Sequence, residues 1–167
     1  MAVLRLSPAQ HAALDSDMLA GAGNLTRLEI SGAVKLGPGA LASLTQLQNL
    51  SASIHNSGVI EIGRLLSELP QLLQLTNLGC NLAVGDVGST PAAAFSALTA
   101  SSELRILDVS NCKLPTDVWQ HVFPAVRQLL HLRSLNVSKV KQPQGGASLA
   151  PEGTCLVEWG VALACGL

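Results

Sequence analysis

Histidine and cysteine are the side chains that most often hold metals or move protons near neutral pH. The chain has four of each: His11, His55, His121 and His131, and Cys80, Cys112, Cys155 and Cys165. No pair of histidines shows an H-x-x-x-H or H-E-x-x-H spacing, and no two cysteines form C-x-x-C. Metal ligation therefore has no support. Neither G-x-S-x-G nor G-x-x-x-x-G-K-[ST] occurs, which removes the hydrolase elbow and the phosphate-cradling loop. Glycines 21, 23, 37, 39, 145 and 146 fall between elements and are explained as turn residues. The sequons at Asn24, Asn49 and Asn136 each overlap a strand whose middle residue faces inward, and are taken as chance matches. With no nucleophile–base pair, catalysis and cofactors are not expected. What remains is hydrogen-bonding and ion-pairing chemistry, carried by Glu29, Ser51, Asn77, Arg105, Asp108, Arg133 and Asn136.

These residues are placed by a repeat. Leu104-Arg105-Ile106-Leu107-Asp108-Val109-Ser110-Asn111-Cys112-Lys113-Leu114 fits L-x-x-L-x-L-x-x-N/C-x-L at every fixed position, with the aliphatic Val109 standing at the third leucine place. A second copy runs from Leu132 through Leu135 and Val137 to Val140, 28 residues later. Upstream, Leu73, Thr76, Leu78 and Asn81 match 31 residues earlier, with one polar substitution. Leu47, Leu50, Ala52 and His55 form a weaker copy, Leu25, Leu28, Ile30 and Ala33 another, and Leu4 with Leu6 resembles the remnant of a further strand. In a strand alternate residues face opposite ways, so the positions between the leucines face outward together. The central outward column is predicted to be Glu29, Ser51, Asn77, Asp108, Asn136. Beside it lies Ser31, Ser53, Gly79, Ser110, Ser138, and a flanking column holds Thr26, Gln48, Gln74, Arg105, Arg133.

The spacers carry helix signals. Ser7-Pro8 opens a helix over 9–19, and Gly37-Pro38-Gly39 leads into a short turn over 40–44. A segment with Ile60, Leu65, Leu66 and Leu69 is stopped by Pro70. Thr90-Pro91 starts a helix with Phe95 and Leu98 on one face. Thr116-Asp117 starts the longest, with Val118, Val122, Phe123, Val126 and Leu130 inward and a kink or break at Pro124. Residues 139–150 form a loop, and the apolar stretch 155–167 is expected to close as a final helix on the last strand.

The repeats resemble the ribonuclease-inhibitor-like class of leucine-rich-repeat proteins over about residues 4–141. The resemblance implies an α/β solenoid: a right-handed β-α superhelix with parallel strands on the concave face and helices on the convex face. Residues 1–141 would be an array of about five repeats, and residues 142–167 a loop and irregular apolar tail. The turn position that often holds Asn or Cys in this class is occupied by Ala33, His55, Asn81, Cys112 and Val140. The first, second and last turns should therefore be looser.

Composition agrees with stacked aliphatic layers. Of 167 residues, 48% are apolar but only 2% aromatic, with no tyrosine. A net charge of −1 favours neither nucleic acid nor an anionic membrane, and no apolar run approaches the ~18 residues of a membrane span. The start of the chain lacks a secretory pattern, so a cytoplasmic setting with reduced thiols is expected. Curved repeat surfaces commonly bind proteins, which leads to the expectation of a non-enzymatic interaction module with a protein partner on the concave face. Charge reversal at Asp108 should then weaken the partner and leave thermal stability nearly unchanged. The alternative is a structural slice of a longer repeat scaffold, self-associating through its ends. Activation of a small GTPase is known for this class, but nothing in the chain singles it out.

Overall fold

The computed structural model describes residues 2–6, 13–14, 16–31, 35–54, 62–82, 90–112, 114–115, 117–123, 130–138, 140 and 156–158. Nine strands occur among them: β1 (Ala2–Leu6), β2 (Ala13–Leu14), β3 (Leu25–Ser31), β4 (Lys35–Leu36), β5 (Asn49–Ile54), β6 (Asn77–Leu82), β7 (Ile106–Asp108), β8 (Ser134–Asn136) and β9 (Leu156–Glu158). The helices are α1 (Ser16–Leu19), α2 (Ile62–Glu68) and α3 (Val118–Val122), with 3₁₀ segments at Leu69–Gln71 and Ala92–Thr99. The protein is thus α/β. Its main sheet runs β1-β3-β5-β6-β7-β8-β9. The first six strands are parallel, each beside the next in chain order, and β9 pairs antiparallel to β8.

Leucine registration builds the core. Leu4, Leu28, Leu50, Leu78, Leu107 and Leu135 stand side by side across six strands. A second buried series, Leu25, Leu47, Leu75, Leu104 and Leu132, lies where each strand begins. Leu65, Leu66, Leu69, Phe95, Leu98, Val118 and Val122 from the helical segments complete the same cluster. The inner members of the leucine row are at most 2% exposed, while Leu4 and Leu135 at its ends are only partly buried. Leu4 lies on the edge strand β1 with a partner on one side only, whereas Leu135 has the short strand β9 beside it.

The third repeat is phased differently from the expectation. Leu78 pairs with Leu50 and Leu107, so it takes the template's fourth position rather than its sixth. Leu75, not Leu73, is the first inward leucine: Leu75 is 2% exposed and Leu73 67%. A slip of two residues keeps every side chain on its original face, so alternation alone does not expose the error. Cross-strand pairing decides it.

The spacers also differ in detail. Ala13–Leu14 is strand rather than helix, because its backbone is engaged by β4 and the Leu14 carbonyl accepts from Gly37 N–H at 2.9 Å. The helix expected over 9–19 is helical only at Ser16–Leu19; residues 9–12 and 15 lie outside the described set. The segment after Pro91 is 3₁₀, with Phe95 and Leu98 buried three residues apart on one line, as that geometry aligns them. Helix α3 ends where Phe123 N–H bonds the Trp119 carbonyl, and Phe123 leaves helical geometry just before Pro124. Leu130, expected inward, is 79% exposed, and Val126 lies outside the described residues. In the tail, Leu156–Glu158 is a strand and not part of a helix; it satisfies the otherwise open side of β8. No helix among the described residues is long and apolar enough to cross a membrane.

Candidate functional site: the outward sheet face

Inward burial of the leucines leaves three long outward rows and a shorter one of Ser31, Ser53 and Asn81. The central row is Arg5, Glu29, Ser51, Gly79, Asp108 and Asn136. The next is Val3, Arg27, Asn49, Asn77, Ile106 and Ser134. The leading row is Thr26, Gln48, Thr76, Arg105 and Arg133, each N–H bonding the preceding carbonyl at 2.7–3.0 Å. The two-residue slip moves three expected members. Asn77 belongs one row away from Glu29, with Gly79 in its former position. Asn81 replaces Gly79 beside Ser53, and Thr76 replaces Gln74.

Glu29 sits in a two-arginine clamp. Arg5 Nε meets Oε2 at 2.7 Å, and Arg27 meets Oε1 through Nε at 2.8 Å and Nη2 at 2.7 Å. Both arginines were missed in the sequence, although registering Leu4 with Leu28 already places Arg5 beside Glu29. Asp108 is equally engaged: Oδ1 accepts from Ser110 N–H at 2.9 Å, and Oδ2 accepts from the Asn136 side-chain amide at 3.0 Å. Asn136 repeats the local turn, its Oδ1 accepting from Ser138 N–H at 3.1 Å. Short polar side chains favour this bond to the backbone two residues on, which steers the chain out of the strand. Asp108 and Asn136 are therefore brought together, but they contact each other first. These bonds bear on the expectation that charge reversal at Asp108 leaves thermal stability nearly unchanged, since they give the carboxylate two partners within the chain.

The hydroxyls also serve the sheet. Ser31 Oγ–H donates to the Leu6 carbonyl at 3.0 Å, and Thr76 Oγ1–H to the Gln48 carbonyl at 3.1 Å. Ser51, by contrast, is exposed in the middle of the face, next to Gly79. A Cβ built on Gly79 would meet only Ser51 Oγ, at an ordinary 3.8 Å. Arg105 and Arg133 are exposed in the leading row, and Ile106 is 41% exposed beside them.

Beneath the face, Cys80 and Cys112 are buried free thiols, and Cys112 Sγ–H donates to the Cys80 carbonyl at 3.1 Å. Cys112 thus fills the inward turn position expected of it. Burial first, then the nearby Cys112 and Asp108, pushes the Cys80 thiol far above its ordinary value, leaving it protonated and unreactive. Among the described residues no three His, Cys, Asp or Glu side chains converge as a metal set. Away from the face, Glu68 is buried and accepts Gly39 N–H at 2.7 Å, which ties α2 to the turn after β4.

No family model and no curated protein matches the chain.

Proposed function

We propose that the chain is a leucine-rich-repeat solenoid of the ribonuclease-inhibitor-like class, acting without catalysis as a module that holds a protein partner on its concave strand face. The observation that carries this reading is the registration of six parallel strands by one leucine row. It leaves a continuous outward surface of polar and small side chains. A rigid, pre-formed surface loses little entropy on binding, and the exposed centre at Ser51 and Gly79 lets another chain approach closely. The ends of the leading row would supply Arg105 and Arg133. A cytoplasmic setting belongs to the same reading, because Cys80 and Cys112 are held as thiols.

The test is site-specific photo-crosslinking. A photoreactive side chain at Ser51 should capture one saturable protein partner in cells, and the same group at exposed Gln120 on α3 should not. Equal capture from both positions, with both variants folded by circular dichroism, would overturn the reading.

A second reading is a scaffold segment that mates end to end with neighbouring repeats. The partly buried Leu4 and Leu6 at one end of the stack, and Leu135 and Val137 at the other, favour it. It requires concentration-dependent self-association by light scattering; a monomer at all concentrations rules it out.

A further inference from the structure

We infer that the Arg105–Arg133 end of the sheet face is the recognition point for an acidic polypeptide segment that places an apolar side chain beside its carboxylates. This inference rests on the binding-module reading and names the partner's chemistry. It begins with a difference in how the chain treats its arginines. Arg5 and Arg27 are clamped on Glu29 at 2.7 Å, whereas Arg105 and Arg133 have no carboxylate at ion-pair distance among the described residues. Arg133 N–H bonds the Arg105 carbonyl at 2.8 Å, so the two stand next to each other on adjacent strands. Their backbones are about 4.8 Å apart. Like charges set side by side across a sheet repel. Asp108, the nearest acid of the central row, is directed to Ser110 N–H and the Asn136 amide and forms no ion pair with either arginine among the described residues. Among the described residues two further acids belong to this part of the chain: Glu103, two residues before Arg105, and Glu158 of β9, whose backbone is in register with Ser134; neither forms an ion pair with Arg105 or Arg133 there.

Ile106 adds the apolar component. The row has two hydrophobic residues among Arg27, Asn49, Asn77 and Ser134: Val3, 46% exposed, stands at the far end beside Arg27, and Ile106 is 41% exposed directly after Arg105. A guanidinium pair takes carboxylates in a fixed fork geometry, and a neighbouring aliphatic contact sets the register of the incoming chain. Two adjacent cations are a small footprint for a polyphosphate backbone, and these rows hold no aromatic side chain on which a base could stack. The chemistry therefore favours an acidic protein segment over a nucleic acid.

The experiment is fluorescence anisotropy on the full chain with three labelled probes: a peptide of repeating Glu-Leu-Glu-Gly, its Lys-Leu-Lys-Gly counterpart, and a single-stranded oligodeoxynucleotide. The glutamate peptide should bind at low salt, weaken as salt is raised, and lose about tenfold in affinity with Arg105→Gln or Arg133→Gln. Ile106→Ala should weaken it as well, Arg5→Gln should not, and Glu158→Gln should leave it equal or tighter. Circular dichroism melts confirm that each variant is folded. Binding that is indifferent to Arg105→Gln and Arg133→Gln, equal binding of the lysine peptide, or tighter binding of the oligonucleotide overturns the inference. Absence of glutamate-peptide binding also overturns it, yet leaves the broader module reading to the Ser51 crosslink, which requires no acidic partner.

Discussion

Replacing Asp108 with alanine removes one cross-strand hydrogen bond and one local one, and the cost can be worked from the geometry. The carboxylate accepts one backbone N–H at 2.9 Å and one side-chain amide at 3.0 Å. Hydrogen bonds to a charged group contribute roughly 1.5–3 kcal/mol each when buried. Asp108 is only half-buried, so water can reach Ser110 N–H and the Asn136 amide once the carboxylate is gone. That reduces each bond to about 1 kcal/mol, giving about 2 kcal/mol in total. For a chain of this size that corresponds to a fall in Tm of about 4–8 °C. Denaturant titration and a thermal melt on Asp108→Ala measure it. The double variant with Asn136→Ala should cost less than the sum of the two singles, because the Asp108–Asn136 bond is lost in either one. A Tm within one degree of the parent, or strict additivity, would refute the argument and return Asp108 to the role of a freely solvated side chain.

The remaining expectations bear on the core, the thiols and the centre of the face. Leu107→Ala, at a fully buried position in the leucine row, should lose about 2–5 kcal/mol and shift the guanidinium midpoint accordingly; a loss under about 1 kcal/mol would mean the row is not close-packed. For Cys80, the folded thiol is raised above the unfolded value of about 8.5, so its contribution is complete below that pH. As pH rises further, the unfolded chain releases a proton that the folded chain keeps, and stability falls by about 1.4 kcal/mol per unit. Stability measured on either side of that pH should show this slope in the parent and a shallower one in Cys80→Ala. Gly79→Ala fits without a clash and should stabilise the strand by roughly 0.5–1 kcal/mol; if a partner chain approaches the sheet there, the same change weakens binding, and unchanged affinity would place the contact elsewhere.

Most of the architecture was legible from leucine spacing. The rows through Leu28, Leu50, Leu107 and Leu135 follow from the template, and even the isolated Leu4 and Leu6 take their predicted strand. The third repeat was misphased because the run Leu72-Leu73-Gln74-Leu75 offers leucines two residues apart, both compatible with alternation. Only the partners Leu50 and Leu107 distinguish them. The strand at Ala13–Leu14 was hidden because its pairing with Lys35–Leu36 is a tertiary event that overrides local helix propensity. In the candidate site, the column holding Asp108 and Asn136 was visible, but not that the two would satisfy each other across 28 residues. The clamp of Arg5 and Arg27 on Glu29 has no local signal, because Arg5 reaches Glu29 only once β1 lies beside β3.

The leucine row joins units of unequal length: Leu4, Leu28, Leu50, Leu78, Leu107 and Leu135 are separated by 24, 22, 28, 29 and 28 residues, yet they remain in lateral register. All of that variation is absorbed by the connecting segments, and none by the sheet. Insertions and deletions in those connections can thus accumulate without displacing a single side chain on the opposite surface. The lateral register of the sheet is thus independent of how many residues separate one strand from the next.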